Sequence, residues 1–171
     1  YGTQYNPAFS GEVRIPLKHI KPLELSDRKV IARRAAMELG ANSVVNFGLG
    51  MPDCIPTIAN EEKISELMTL TVDPGVIGGV PMGGLDFGAA VNWQAVIDHC
   101  SQFDLIDGGG LDAAFLGFAE CDRAGSINAS RFGSRIAGCG GFINISQNAK
   151  KVVFVSNFAS GGLEVAIQDG R

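Results

Sequence analysis

The chain has 171 residues, of which 46% are apolar and 19% are charged, and its formal net charge is −4. A chain of this length and composition can bury a core as one domain, so disorder is excluded. Because it has no basic run, nucleic acid is not an expected partner. No apolar stretch approaches the roughly 20 residues of a membrane span, and no signal peptide is visible, so we expect a cytoplasmic protein without membrane contact.

The cysteine pattern argues against a metal site. No C-x-x-C pair occurs and only two histidines are available, so no zinc site can be written. The pattern favours buried free thiols in a reducing cytosol. The four cysteines are Cys54, Cys100, Cys121 and Cys139.

Residues 1–24 are predicted to be irregular, because three prolines block regular structure there. We expect this segment to be an extended arm or an interdomain linker, and residues 25–171 to form the domain. The chain begins with Tyr1 and stops just after a hairpin-turn sequence at 168–171. Both ends suggest a fragment of a longer chain.

Strands and helices alternate in the first half of the chain. Ser26 suits an N-cap and Gly40 a C′ residue, which predicts a helix over 27–39. The next predicted elements are a buried strand over 43–47, a helix that begins at Asp53, and a strand over 66–72.

The second half predicts mainly strands and glycine turns, with a hairpin turn at 122–125. Early alternation and late hairpins together indicate an α/β fold with a mixed sheet covered by helices. The predicted elements are strands over 87–92, 103–106, 113–120, 151–158 and 163–167, and a short helix over 93–100.

The most unusual stretch is 68–84, where a β-rich run enters a turn that opens with Asp73. From Asp73 to Gly84 the turn contains five glycines and two prolines separated by apolar residues. Turns that face water are usually polar, so this backbone is expected to pack against protein or a ligand. Asp73, the only acid in the stretch, sits where a reactive carboxylate could be expected.

Three further glycine loops could bind an anion or an oxyanion. Residues 46–52 follow a strand and precede a helix, but the third glycine of a dinucleotide fingerprint is missing. Residues 107–110 and 138–141 offer unobstructed backbone N–H groups that can polarise a carbonyl. The alternative for each loop is a tight turn in which glycine only permits φ > 0.

The sequence favours a carboxylate over other nucleophiles. No G-x-S-x-G motif occurs, and with two histidines neither serine nor cysteine has a convincing base. A carboxylate nucleophile needs no histidine. Two other acids near glycine loops, Asp112 and Glu120, could be structural, and Glu120 is predicted to lie on a buried strand with a partner.

Four stretches resemble the carboxyl-terminal catalytic domain of family I coenzyme A transferases, and among them the propionate/acetate type. The resemblance runs from Gln4 to Arg171 and implies a three-layer α/β domain like that of ribose-5-phosphate isomerase. In that family two such domains, on one chain or two, make the enzyme, which implies an amino-terminal domain or partner subunit and a homo-oligomer. The four stretches are 46–52, 68–84, 107–112 and 131–146.

In this family a loop glutamate attacks an acyl-CoA thioester, a mixed anhydride forms, and the CoA thiolate then attacks the glutamyl carbonyl. An acceptor carboxylate reverses these steps and leaves as the new acyl-CoA. The resemblance therefore implies acyl-CoA and a small carboxylate as substrates, short-chain acyl groups, and coenzyme A as substrate rather than as a permanently bound cofactor, with no metal.

The resemblance also assigns site residues. Asp73 holds the nucleophile position, Gly141 matches the oxyanion glycine with Gly140 beside it, and Asn46 matches an asparagine close to the nucleophile. The family uses glutamate, so the carboxylate of Asp73 is set back by roughly 1–1.5 Å, and such a misplacement can cost on the order of 100-fold in rate. The further predicted loop contacts are Gly48, Gly50, Gly75 and Gly109.

Several functions stay open from the sequence. Asp73 can act as the nucleophile after a compensating backbone shift, or as the general base for a water in an acyl-CoA hydrolase. The chain can also be an inactive half-enzyme. A fourth hypothesis is that the chain is a sugar-phosphate-binding effector module of the same fold class. This hypothesis explains the glycine loops but not an apolar loop around a carboxylate.

Overall fold

The computed structural model describes residues 2–158 of the chain. Helices α1 to α4 in this range are Asp27–Ala36, Ile55–Glu61, His99–Asp107 and Phe142–Asn148. Strands β1 to β12 are Val44–Phe47, Thr69–Val72, Val76–Ile77, Val80–Pro81, Ala90–Val91, Ala95–Val96, Ala113–Leu116, Glu120–Cys121, Ile127–Asn128, Arg131–Phe132, Arg135–Ile136 and Val152–Phe154.

A six-stranded mixed sheet with the order β12-β7-β1-β2-β3-β6 forms the centre of the described part. Strands β12, β7, β1 and β2 run parallel, whereas β3 pairs antiparallel with both β2 and β6. The remaining strands form three small antiparallel pairs, β4-β5, β8-β9 and β10-β11. The predicted mixed α/β architecture is therefore confirmed.

Helices cover both faces of this sheet. Phe47 and Phe115 pack with α1 and α2 in one core, and Ala114 and Leu116 pack with α3 and α4 in a second core. Because successive strand side chains point to opposite faces, the sheet divides the two cores. Asn46 lies between two residues that face α1 and α2, so its own side chain faces the α3–α4 layer.

Helix α1 begins as predicted, with the hydroxyl of Ser26 accepting a hydrogen bond from the Lys29 N–H at 3.3 Å. It ends at Ala36 rather than at residue 39. The last residues form a tighter turn, in which the N–H groups of Glu38 and Leu39 bond three residues back. Strand β2 is also shorter than the predicted 66–72, because Ser65–Leu67 forms a 3-10 turn.

The predictions for 93–106 are wrong. Residues Ala95–Val96 form β6 in place of a helix, and the predicted strand over 103–106 lies inside α3. The helix forms because Asp98 caps it, accepting from the Ser101 N–H at 3.0 Å. Gln102 and Ile106, four residues apart, both turn to the sheet and are completely buried.

The late hairpin is confirmed, with β8 and β9 pairing around the turn at 122–125. The predicted strands over 113–120 and 151–158 exist as the shorter β7 and β12. Residues 87–92 are strand only at Ala90–Val91. Helix α4 was not predicted, and the predicted strand over 163–167 lies outside the described residues.

Residues 2–24 contain one turn of 3-10 helix, Leu17–His19, and lie on the strands β4 and β5. The Asn92 side chain bonds both the N–H and the carbonyl of Ile15, at 3.0 and 2.8 Å. Trp93 Nε1 donates to the Phe9 carbonyl at 2.9 Å. These hydrogen bonds attach the segment to the domain.

The prediction of four buried thiols is wrong, because only Cys54 is buried. Cys100 lies on the solvent side of α3, and Cys121 and Cys139 belong to the exposed stretches 119–126 and 131–140. Among residues 2–158, the structure contains no helix with the length and apolar character needed to cross a membrane.

Candidate active site at the carboxyl edge of the sheet

Asp73 lies at the tip of a tight hairpin between β2 and β3. Val72 pairs with Val76, and Gly75 N–H donates to the Val72 carbonyl at 3.1 Å. Gly75 has φ +111°, and a Cβ there would overlap the carbonyl oxygen of Ile97. Ile97 also holds the turn in place through its own N–H, which donates to the Gly75 carbonyl at 2.9 Å. Only glycine fits this position.

The Asp73 carboxylate is half-buried and contacts Asn46, whose Nδ2 donates to Oδ1 at 2.8 Å. Burial raises the pKa of Asp73, while the Asn46 hydrogen bond and, to a smaller extent, the electrostatic interaction with the His99 imidazole oppose that rise. His99 is the first residue of α3. The net result is a carboxylate that is more basic than usual, as covalent and general-base chemistry both require.

A buried polar network lies below this carboxylate. Gln102 Nε2 donates to Thr71 Oγ1 at 2.9 Å, and Thr71 Oγ1 donates to the Val76 carbonyl at 2.7 Å. Asn46, Thr71 and Gln102 are all 0% exposed. Within residues 2–158, Asn46 Oδ1 and Gln102 Oε1 have no hydrogen-bond partner.

Gly140 and Gly141 lie at the same edge of the sheet as Asp73. They precede α4, which connects to a strand parallel to β7 and so begins near the carboxyl ends of the strands. A Cβ on Gly141 would be 2.5 Å from Phe103 Cζ, and the Phe103 ring packs edge-on against His99 at 4.8 Å. Neither glycine N–H donates to any residue from 2 to 158.

The other predicted loop contacts lie at two different edges of the sheet, formed by the carboxyl ends and the amino ends of its parallel strands. Gly48 and Gly50 follow β1 and lie at the carboxyl edge, where Gly48 N–H donates to the Phe115 carbonyl at 2.8 Å. Gly75 belongs to the Asp73 hairpin. Gly109 follows α3 and precedes β7, so it lies at the amino edge, away from Asp73. The prediction did not separate these edges because it had placed a strand where α3 lies.

Asp53 is a buried carboxylate beneath two glycine loops, and its role was not predicted from the sequence. Its Oδ2 accepts from Gly50 N–H at 3.2 Å and from Gly84 N–H at 3.1 Å. Its Oδ1 forms an ion pair with Arg28 at 2.7 Å. Arg28 also donates through Nε to Cys54 Sγ at 2.8 Å. Asp53 therefore joins the 46–52 loop to the end of the 68–84 stretch.

His99, Thr71 and Gln102 were also missed. The signal that could have found two of them is the capping pattern Asp98-x-x-Ser101 at the start of α3. A helix that begins there brings His99 to the edge occupied by Asp73 and turns Gln102 inward. Thr71 follows from alternation, because it lies on β2 two residues before Asp73 and so on the same face of the sheet.

The remaining acids near glycine loops have no place in this cluster. Asp112 accepts from Val44 N–H at 2.9 Å and pairs with Lys150 at 2.8 Å, and this lysine in particular lowers its pKa. Glu120 is exposed rather than buried, since β7 ends before it, and it accepts from Asn128 Nδ2 at 2.5 Å. Residues 2–158 contain no group of three His, Cys, Asp or Glu side chains that could hold a metal ion.

The chain is similar in sequence to CoA-transferases, in two cases over nearly all of its length. It is 48% identical to the caffeate CoA-transferase of Acetobacterium woodii and 41% identical to the acetate CoA-transferase YdiF of Escherichia coli K12, over 99% of the chain in both cases. It covers 33% and 32% of those two proteins. It is 30% identical to a probable coenzyme A transferase subunit beta of Bacillus subtilis, over 78% of the chain and 66% of that subunit.

Solved structures show the same fold. The crystal structure of the YdiF apoenzyme from Escherichia coli O157:H7 superposes with a TM-score of 0.80 at 39% identity, over 99% of this chain and 31% of that one. Its thioester complex with CoA superposes with a TM-score of 0.77 at 37% identity, over 98% and 31%.

No family model matches the chain. The chain spans about a third of the length of the caffeate and acetate CoA-transferases that it matches. Its similarity to them nevertheless extends across nearly all of its own residues and is accompanied by the same fold. The chain therefore belongs to the family I coenzyme A transferases, as a domain of their β type.

Proposed function

We infer that this chain is the nucleophile-bearing domain of an acyl-CoA:carboxylate CoA-transferase, and that Asp73 is its covalent nucleophile. The observation that supports this inference most directly is the fixed, half-buried carboxylate at the hairpin tip, 2.8 Å from Asn46 Nδ2. Its raised pKa makes it a better nucleophile than a solvated aspartate.

The reaction begins when an Asp73 carboxylate oxygen attacks the thioester carbonyl carbon. The C–S bond breaks, CoA leaves as its thiolate, and an acyl–aspartyl anhydride remains. The thiolate then attacks the aspartyl carbonyl carbon, which releases the original acyl group as a carboxylate that carries one oxygen from Asp73. An acceptor carboxylate reverses both steps and restores the Asp73 oxygen.

Each step passes through a tetrahedral intermediate whose oxyanion needs hydrogen-bond donors. Gly140 and Gly141 are the proposed donors, because their N–H groups have no acceptor among residues 2–158 and lie at the edge occupied by Asp73. Asn46 Nδ2 is the third proposed donor, already aimed at the carboxylate.

The side chain of Asp73 is shorter than the glutamate that the family uses, and the residues around it, rather than a loose turn, hold its carboxylate in place. The hairpin is tight, with Gly75 bonded to both Val72 and Ile97, and Asn46 already reaches the aspartyl oxygen. These contacts set the carboxylate at one height above the sheet. We therefore propose that the site is built for aspartate.

The complete enzyme is proposed to need a second domain. The chain corresponds to a third of the acetate and caffeate CoA-transferases and to 66% of a protein named as a β subunit. An amino-terminal CoA-transferase domain or a partner subunit would therefore complete the site, and a homo-oligomer in the cytoplasm is the proposed assembly. The proposed substrates are a short-chain acyl-CoA and a small carboxylate acceptor, with no permanently bound cofactor.

Hydrolysis of acyl-CoA is the second candidate, and one observation favours it. Asn46 Oδ1 is buried beside Asp73 and accepts no hydrogen bond from residues 2–158. Such an acceptor can orient a water whose proton passes to Asp73 as general base. The water oxygen would then attack the thioester carbonyl, and CoA would leave with the fatty acid as the other product.

The test uses the protein that its complete reading frame encodes, with acetyl-CoA as donor and propionate as acceptor. Mass spectrometry of the products follows CoA over time. Transfer predicts propionyl-CoA whose amount depends on propionate, with total thioester conserved. Hydrolysis predicts free CoA at a rate that propionate does not change. Product of neither kind would overturn both candidates.

A further inference from the structure

Three completely buried polar side chains lie together beneath the Asp73 hairpin. Residues 2–158 contain only five buried polar or charged residues, and Asn46, Thr71 and Gln102 are three of them. Asn46 contacts Asp73 directly and belongs to the site already described. Within residues 2–158, Thr71 and Gln102 form no hydrogen bond with the carboxylate or with the proposed oxyanion donors, so their burial needs a separate explanation.

The Thr71 hydroxyl forms a bond across the neck of the hairpin. It donates to the carbonyl of Val76, the first residue after the turn, at 2.7 Å. Thr71 lies two residues before Asp73 and Val76 three residues after it. This bond therefore joins the two strands that carry the carboxylate, in addition to the ladder bonds between them.

Gln102 fixes that hydroxyl to the helix layer. Its Nε2 donates to Thr71 Oγ1 at 2.9 Å. Because the Thr71 proton goes to Val76, the oxygen can only accept from Gln102, and this determines which end of the amide faces it. The chain of bonds Gln102–Thr71–Val76 thus attaches the hairpin to α3, the helix that also carries His99.

The amide oxygen of Gln102 indicates that this side chain does not contribute to stability. Its Oε1 is buried and accepts no hydrogen bond within residues 2–158. A buried unsatisfied acceptor is destabilising, so an apolar side chain of similar shape would be at least as stable here. What an apolar side chain cannot supply is the donor that Thr71 receives.

We propose that Thr71 and Gln102 are positioning residues, which hold the Asp73 hairpin at the height above the sheet at which its carboxylate reacts. The proposal rests on the proposed function, because the reaction that depends on this height is attack by Asp73. Neither residue touches the substrate. Their effect passes through the hairpin backbone, where a displacement of about 1 Å lowers a rate by on the order of 100-fold.

The test compares Thr71→Val, which keeps the shape and removes the hydroxyl, with Thr71→Ser, which restores it. In the complete protein, Thr71→Val is expected to lower kcat for CoA transfer about 10–100-fold with KM for acyl-CoA changed less than about twofold. Thr71→Ser is expected to recover most of kcat. Thr69→Val is the matched control, because Thr69 lies on the same strand and its hydroxyl bonds nothing in residues 2–158.

Gln102→Met tests the same link without a loss of stability. The side chain is similar in length and apolar, so the melting temperature is expected to stay the same or rise, while kcat falls as it does in Thr71→Val. A purely structural Gln102 would instead give a lower melting temperature and an unchanged kcat for the folded fraction. That result would overturn the proposal.

Hydrogen exchange supplies a readout that does not depend on the reaction. The N–H groups of Gly75 and Gly78, which bond to Val72 and Leu70, are expected to exchange faster in Thr71→Val than in Thr69→Val. A wild-type protein that transfers no CoA would overturn the proposed function alone. Transfer at the wild-type rate by Thr71→Val, or unchanged exchange at Gly75, would overturn the positioning role.

Discussion

Asn46 on β1 and Asp73, which directly follows the neighbouring parallel strand β2, meet at 2.8 Å above the α3–α4 face of the sheet. Asn46 is paired in register with Thr71, and Asp73 lies two residues further along the chain, just past the end of β2. The amide must turn its N–H to the carboxylate, because an ionised carboxylate can only accept. This orientation leaves Asn46 Oδ1 buried without a partner in residues 2–158. The ionised Asp73 therefore sets the conformation of Asn46.

The pH dependence of stability is expected to change in Asp73→Asn. Burial raises the folded-state pKa of Asp73 above its unfolded value of about 3.9, so wild type loses stability as pH rises through that interval. Asparagine does not titrate and can still accept from Asn46. Urea unfolding should show the variant gaining stability relative to wild type between pH 3 and pH 7. A constant difference over that range would contradict the raised pKa.

Asn46→Asp is expected to place two carboxylates in direct contact. Like charges at this separation raise the pKa of the pair, and the missing donor removes the bond that lowers it. The variant should lose on the order of 1–3 kcal/mol of unfolding free energy at pH 8 and less at pH 5. Asn42→Asp, at an exposed position just before the same strand, is the control. Equal losses in both variants would show that the Asp73 contact is unimportant.

Gly75→Ala separates steric overlap from backbone strain when it is compared with Gly50→Ala. Both glycines have positive φ, +111° and +101°, but only at Gly75 would a Cβ meet a backbone atom, the Ile97 carbonyl oxygen. Strain alone is worth about 1–3 kcal/mol. Gly75→Ala should therefore lose clearly more unfolding free energy than Gly50→Ala in denaturant titrations. Similar losses would contradict the tight hairpin.

Asp53→Asn should loosen the two glycine loops that its carboxylate joins. Loss of the charge weakens the Arg28 ion pair and the bonds to Gly50 and Gly84, and we expect about 1–3 kcal/mol of destabilisation. Hydrogen exchange should become faster at the Gly84 N–H. Asp104→Asn, on the exposed side of α3, should change neither quantity. An Asp53→Asn protein as stable as wild type would remove this role.

The sequence predicted those features that depend on neighbouring residues along the chain. Ser26 marked the start of α1, the turn at 122–125 marked the late hairpin, and the resemblance brought Asn46 and Asp73 together. The 2.8 Å contact between them is present. Local capping and turn chemistry, together with the family motifs, account for these successes.

The features that could not be predicted depend on contacts between distant segments. Phe103 to Ile106 is a short apolar run that suits a strand or a helix, and only its packing on the sheet decides for the helix. Asp53 became the link between two glycine loops because Arg28 and Gly84, 25 and 31 residues away, converge on it. The buried network at Thr71 and Gln102 depends on both strand and helix being placed correctly.

Peptide mapping of the enzyme–CoA intermediate tests the central claim most directly. The complete wild-type protein is incubated with acetyl-CoA without an acceptor, digested, and analysed by mass spectrometry beside Asp73→Asn. We predict CoA attached as a thioester to the peptide that contains Asp73 in wild type only, and transfer lowered by at least about 10³-fold in the variant. CoA on a different peptide, or transfer that persists in Asp73→Asn, would contradict the assignment of Asp73 as the nucleophile.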